Sequence, residues 1–141
     1  MKVFWGIIIL SISLFANMDV AFVKSIMGSI EVKRGDKMIP LKLSDKIYEK
    51  DIIFTKNNSH VAVIFNDGSV LALQENSILR VDKYLFAPSK NLYDFELYLS
   101  NGKALFESGK VGKLASQSVK FRIPQARIGI RGTKFLVEAK Q

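Results

Sequence analysis

From about residue 20 onward the chain alternates apolar and polar residues with a period of two. Successive side chains of a strand point to opposite faces, so this pattern builds half-buried strands and leaves helices little room. The clearest unit is "HVAVIFNDGSVLAL", His60 to Leu73. Val61, Val63 and Phe65 point one way, Asn66-Asp67-Gly68-Ser69 turns, and Val70 to Leu73 return. Asp-Gly between two β-rich runs predicts a hairpin closed by a type I′ turn. That turn needs positive φ at both central residues, which Asp tolerates and Gly accepts without steric cost.

The same reading extends along the chain. Ile30 and Val32 share one face, with Glu31 and Lys33 on the other, and Gly35-Asp36 supply a turn. "KIYEKDIIFT" is a strand region broken near Glu49–Asp51, and "KNNS" is a polar loop. Ile78, Leu79 and Val81 belong to a further strand, and "APSKN" is a loop. Phe95, Leu97 and Leu99 line one face of a paired region. Asn101-Gly102 is its expected turn, and Ala104 to Phe106 return. "GKVGKLASQS" reads as a polar loop. Val119, Phe121 and Ile123 then alternate, Pro124 interrupts, and Ile128, Ile130, Phe135 and Val137 resume. Beyond the N-terminus, no window of about 11 residues or more has helical periodicity. The expectation is a single all-β domain. Periodicity alone leaves a sandwich, a barrel and a solenoid open.

The N-terminus has a different character. Lys2 precedes an uncharged, mostly apolar run from Val3 to Phe15, followed by Ala16, Asn17 and Asp19. This is the layout of a secretory signal peptide over residues 1–16, the alternative being an uncleaved anchor. The run is short for a bilayer span, which takes roughly 20 apolar residues. The 141 residues carry 21 basic and 13 acidic side chains, a net charge of +8. Removing residues 1–16 takes Lys2 and no acid, leaving +7. That charge favours anionic surroundings, and export sets nucleic acid aside as the partner. The absence of cysteine excludes a disulfide scaffold, a thiol nucleophile and thiolate metal sites.

Taken in order, "GSIEVKRG", "DIIFTKNNSHVAVIFNDGSVLAL", "SILRV", "LYLSNGKALF" and "FRIPQARIGIRGTKFLV" resemble the FecR domain. That family's pattern runs G-x-V-x-V-x-R-G, then G-D-x-I-x-T, a strand ending F-x-D-G-S, L-x-x-G and x-R-G-T-x-F-x-V. The resemblance spans about Ile26 to Val137. Its signature turns fall on Asp67, Gly68, Ser69, Gly102, Arg131, Gly132 and Thr133. It implies a periplasmic, non-catalytic β domain over residues 17–141. Stacked short strands would form a twisted, β-solenoid-like body, with a β-sandwich as the alternative. The best-known members pass a signal from an outer-membrane receptor to a sigma factor through a membrane helix. Only Met1 and Lys2 precede the apolar run, so the expectation carries over the domain and its location, not that circuit. Lys50 stands where the family usually has Gly before Asp51, and Asp45 where a turn glycine is common. The sequence ends six residues after Phe135, so the last part of the usual domain is expected to be missing or supplied by another chain.

Catalytic patterns fail on spacing. A phosphate-binding loop needs G-x-x-x-x-G-K-[ST]. "GKVGKLAS" sets its glycines three apart and follows Lys113 with Leu114, and "RIGIRGTKF" lacks the spacing altogether. His60 is the only histidine, too few for a metal site built on imidazoles. Asp45, Glu49, Asp51, Asp67, Asp82, Asp94 and Glu96 sit mostly in turns or at strand edges, where solvation and turn chemistry account for them. The reading is therefore not an enzyme, with no cofactor.

Binding remains. Basic residues are densest in the C-terminal third, and Lys120, Arg122, Arg127, Arg131 and Lys134 form the expected partner surface. A solvated strand face explains the same residues. The partners in view are an envelope protein or a second copy meeting an exposed strand edge. The alternative is an acidic glycan of the cell wall, or peripheral contact with an anionic membrane. Residues from Val119 to Val137 are expected to border the surface. Tyr84, Phe86, Tyr93, Phe95 and Tyr98 read as core and cross-strand pairs, or as a partly exposed protein-binding patch.

Overall fold

The computed structural model describes residues 18–129 and 134–140. The expected signal segment 1–16 lies outside them, as do Arg131, Gly132 and Thr133. The strands are β1 (Asp19–Met27), β2 (Ile30–Arg34), β3 (Lys37–Pro40), β4 (Lys46–Tyr48), β5 (Ile52–Thr55) and β6 (His60–Phe65). They continue with β7 (Val70–Leu73), β8 (Ile78–Ala87), β9 (Leu92–Glu107), β10 (Val119–Ile123), β11 (Ala126–Gly129) and β12 (Lys134–Ala139). One short helix, α1 (Lys110–Leu114), follows β9. The all-β expectation holds. Lys110 to Leu114, expected as loop, turns once because Val111 inserts fully into the core.

The strands form two layers that share β9. The first layer runs β4-β1-β6-β7-β9-β12 and the second β3-β2-β5-β8-β9-β10-β11. Residues 92–101 of β9 pair in the second layer, and residues 102–107 in the first. The sheet therefore curls on itself at β9, and one hydrophobic core fills the space between its halves. Val61, Val63, Phe65, Leu71, Leu73, Ala104, Phe106 and Val137 reach it from the first layer. Ile30, Val32, Ile53, Leu79, Val81, Phe95, Leu97, Leu99 and Phe121 reach it from the second. The alternation predicted these faces. Phe65 lies 4.8 Å from Phe95 and Phe106 lies 6.1 Å from Phe121, centroid to centroid, so aromatic rings bridge the layers. Each such side chain contributes about 1.5–3 kcal/mol by leaving water.

Two expected turns are corrected. At Asn101-Gly102 the chain does not reverse, because β9 continues through it. Gly102 has φ +96°, and an added Cβ would lie 2.1 Å from Ser77 Oγ. Its backbone freedom is spent on bending β9 from one layer to the other beside Ser77, which donates to Lys103 O and accepts from Lys103 N. The β6–β7 hairpin forms as expected, but its turn is not type I′. Gly68 N donates to Phe65 O at 2.9 Å and Phe65 N to Ser69 O at 2.8 Å, and positive φ falls on Gly68 alone, at +87°. This is a three-residue loop with a glycine bulge.

Candidate functional site

Acids taken as solvated turn residues prove buried in three places: Asp51, Asp67 and Asp82 are at most 6% exposed. Asp67 explains the changed hairpin. Its Oδ1 accepts from Ser69 N (3.1 Å) and Tyr84 Oη (3.0 Å). Its Oδ2 accepts from Ser69 Oγ (2.8 Å) and Val111 N (3.0 Å). Its carbonyl accepts from Lys110 N at 2.9 Å. Four donors to one buried carboxylate tie the hairpin to β8 and α1. A Cβ on Gly109 would lie 2.4 Å from Asp67 O, so only glycine fits beneath the loop. Burial, then the neighbouring Asp67 charge, pushes the Tyr84 hydroxyl well above its ordinary pKa and keeps it a donor. Asp67, Gly68 and Ser69 are thus structural.

A second acid does similar work. Arg34 holds Asp51 with two bonds, Nε to Oδ1 at 2.9 Å and Nη2 to Oδ2 at 2.8 Å, while Tyr48 N donates to Oδ2 at 2.9 Å. The "RG" and "D-x-I" segments of the resemblance therefore meet in space. Lys50 takes the glycine's place with φ +76°, an uncommon conformation for a side-chain-bearing residue. Near Asp45 the positive φ falls on Ser44, at +70°.

The outer face of the second layer carries a cross-strand row. Lys33, Ile52, Arg80, Tyr98, Arg122 and Arg127 stand in register across β2, β5, β8, β9, β10 and β11. Asp82 sits in the irregularity of β8 between Val81 and Lys83. It accepts from Arg80 and, at 2.7 Å, from Arg122 Nη2. Arg122 Nε lies 3.4 Å from Glu96 Oε1, and both guanidiniums lie over the Tyr98 ring at 4.9 and 5.4 Å. Burial pushes the Asp82 carboxyl up, but the two guanidiniums outweigh it and hold the group below the ordinary carboxylate range. Sequence reasoning named Arg122, read Tyr98 only as one of the core, cross-strand or patch aromatics, and missed Arg80. Their register across three strands is a long-range property that no local pattern carries.

The outer face of the first layer carries apolar rows that end among charged residues of β9 and β12. Phe22, Ile64 and Val70 stand in register across β1, β6 and β7. Beside them Ala62, Ala72, Leu105 and Leu136 stand in register across β6, β7, β9 and β12. Phe22 is 44% and Leu136 60% exposed. The small floor of Ala62 and Ala72 opens into a cavity of about 610 Å³, walled by Met27, His60, Gln74 and Glu75. His60 begins β6 at its rim, exposed.

The expected partner residues are divided by this geometry. Lys120 and Arg122 lie on β10 opposite buried Val119 and Phe121, and Arg127 pairs with Arg122 through β11. Lys134 belongs to the other layer, exposed on β12. Arg131 lies outside the described residues. Of the aromatics, Tyr84 and Phe95 are core, Phe86 and Tyr93 pack against it, and Tyr98 lies between Arg80 and Arg122. Among the described residues no cluster of three metal-ligating side chains occurs, and no helix is long and apolar enough to cross a membrane.

Comparison with known proteins agrees with the resemblance read from the motifs. The family described as "FecR protein" matches residues 51–141. A solved structure titled "Cell surface anchoring domain" is similar over 43% of this chain and 82% of its own length, at 26% identity and TM-score 0.42. No curated protein matches the chain.

Proposed function

We propose, from the premise that this chain belongs to the FecR protein family, that it is an exported, non-catalytic binding module of the cell envelope. It works in the periplasm as a sensing or scaffold domain and engages an envelope protein through the outer face of its first layer. The observation that carries this reading is the apolar row ending at Leu136, which is 60% exposed on the edge strand β12. An apolar face that ends at an open edge offers a partner both surface to bury and backbone groups to pair. The strands advance in nearly sequential order along both layers, and the chain passes repeatedly from one to the other. We read that winding as solenoid-like rather than as a closed sandwich.

A second reading concerns the row on the second layer. Lys33, Arg80 and Arg122 in one cross-strand row, with Arg127 in register beyond Arg122, favour contact with an acidic cell-wall polymer or an anionic membrane. Salt separates the two, because surface charge is screened beyond a Debye length of roughly 8 Å at physiological ionic strength.

The test is crosslinking and affinity purification from the native envelope fraction, with N-terminal sequencing of the recovered chain. The expected result is a salt-resistant protein partner crosslinked through the first layer, and a mature N-terminus at Asn17. Crosslinks confined to β2, β3 and β5, or capture of wall polymer that moderate salt abolishes, would reject the first reading.

A further inference from the structure

β12 carries the sequence Lys134-Phe135-Leu136-Val137-Glu138, and its neighbour β9 carries Lys103-Ala104-Leu105-Phe106-Glu107. Both follow K-x-L-x-E. The strands run antiparallel in a register that sets Lys134 opposite Glu107, Leu136 opposite Leu105 and Glu138 opposite Lys103. The pattern is its own complement when one copy is reversed: each lysine meets a glutamate, and the leucines meet midway. Cross-strand pairs of these kinds stabilise a sheet and select its register.

This pairing uses one edge of β12. Among the described residues β12 pairs with no strand other than β9, so its other edge keeps unpaired N–H and C=O groups. Lys134, Leu136 and Glu138 are all exposed there. The other outermost strands differ. β3 ends in Pro40, β4 has only three residues and β11 only four.

We propose that a second copy of this chain adds its β12 to that edge, antiparallel and centred on Leu136. Lys134 then opposes Glu138 of the second copy, Leu136 opposes Leu136, and Phe135 opposes Val137. A slip of one residue would turn the second copy's buried positions outward, and a slip of two would set either Glu138 or Lys134 of each copy against the other's Leu136, according to its direction. A two-fold contact of this kind closes at two copies. The two first layers become one sheet, and the Leu105–Leu136 row runs on into the second copy. The occupant is specified by charge. A uniformly acidic or basic strand satisfies only one of Lys134 and Glu138, whereas the reversed copy satisfies both. The inference rests on the reading of the first layer as the binding face and narrows it to one partner.

The chain has no cysteine, so Leu136→Cys supplies a single thiol that faces itself across the two-fold axis. In the full-length chain a short bis-maleimide should join L136C into dimers and leave Leu105→Cys, one strand further in, largely unjoined. Lys134→Glu and Glu138→Lys each set like charges opposite one another in the homodimer. Each should weaken dimerisation in sedimentation by roughly tenfold. Mixed together they should recover it as a heterodimer, because each reversed charge then meets its complement. Melting curves confirm that each variant is folded. If a charge reversal does not fold, L136C at its exposed site decides the matter. Folded variants that stay monomeric when mixed, or L136C that gives no dimer, would overturn the proposal. If the monomeric wild-type chain still captures an envelope protein, only the second-copy inference falls. If the chain dimerises and captures none, only the partner reading falls.

Discussion

On the outer face of the second layer, Arg80, Tyr98 and Arg122 stand side by side, and Asp82 and Glu96 lie among them. On the outer face of the first layer, Phe22, Ile64, Val70, Leu105 and Leu136 stand in two rows that no described residue covers. The first arrangement is paired within the chain, since each acid and guanidinium has a counter-charge, although Arg122 Nε lacks a hydrogen bond. The second is not: among the described residues nothing covers these rows or pairs with the outer edge of β12. The difference argues that positive charge, the most visible feature of the composition, is a poor guide to where this protein binds. Arginines that neutralise buried acids hold strands together; the proposed recognition surface is the one with leucines.

Variants break the comparison in order of size. The two faces exist only while the core clamp holds, so Asp67→Ala should cost about 3–5 kcal/mol, measured by urea unfolding. It strands the Tyr84 hydroxyl and the Val111 and Ser69 amides. Asp82→Asn should cost about 1–2 kcal/mol near neutral pH, discounted because Arg80 and Arg122 are partly exposed. It should also change the response to acid. The folded Asp82 carboxyl lies below its unfolded value, so its contribution is complete above the ordinary carboxylate range. It is lost as pH falls through and below that range. Unfolding of the wild type should therefore steepen with acid there, and D82N should flatten the slope. An unchanged slope would mean that the second face is not held by this acid. Lys50→Gly, in the turn that carries the chain from β4 to β5, relieves a positive φ. It should stabilise by about 1 kcal/mol without altering binding. Leu136→Ser should leave stability within about 0.5 kcal/mol, since the side chain is exposed, yet reduce association. Equal losses of stability from D82N and L136S would erase the distinction between the faces.

Strand faces were legible in the sequence because burial alternates residue by residue: Ile30, Val32, Val61, Val63 and Phe65 all point inward as their spacing requires. Turns were legible only where nothing distant intervened. Asn101-Gly102 carries a strong local turn signal, but Ser77 and the pairing of β12 hold β9 extended through it. Asp67-Gly68 turns as expected, but by another geometry, because Tyr84 and Val111 draw the carboxylate inside. The family motifs pointed to Arg34 and Asp51 without saying that they touch. The Arg80–Tyr98–Arg122 row depends on the irregularity at Asp82 and on register across three strands, which short-range patterns do not encode. The K-x-L-x-E repeat was present in plain view. Its meaning appeared only once β9 and β12 were seen to pair.

Amide hydrogen exchange compares the two faces in one experiment. It is followed in the full-length chain from dilution up to concentrations at which it associates, and again with envelope extract. The account predicts that amides of residues 134–139 gain protection on association while those of residues 119–123 do not change. Protection gained along β10 with β12 unaffected would contradict it, and would return recognition to the arginine face.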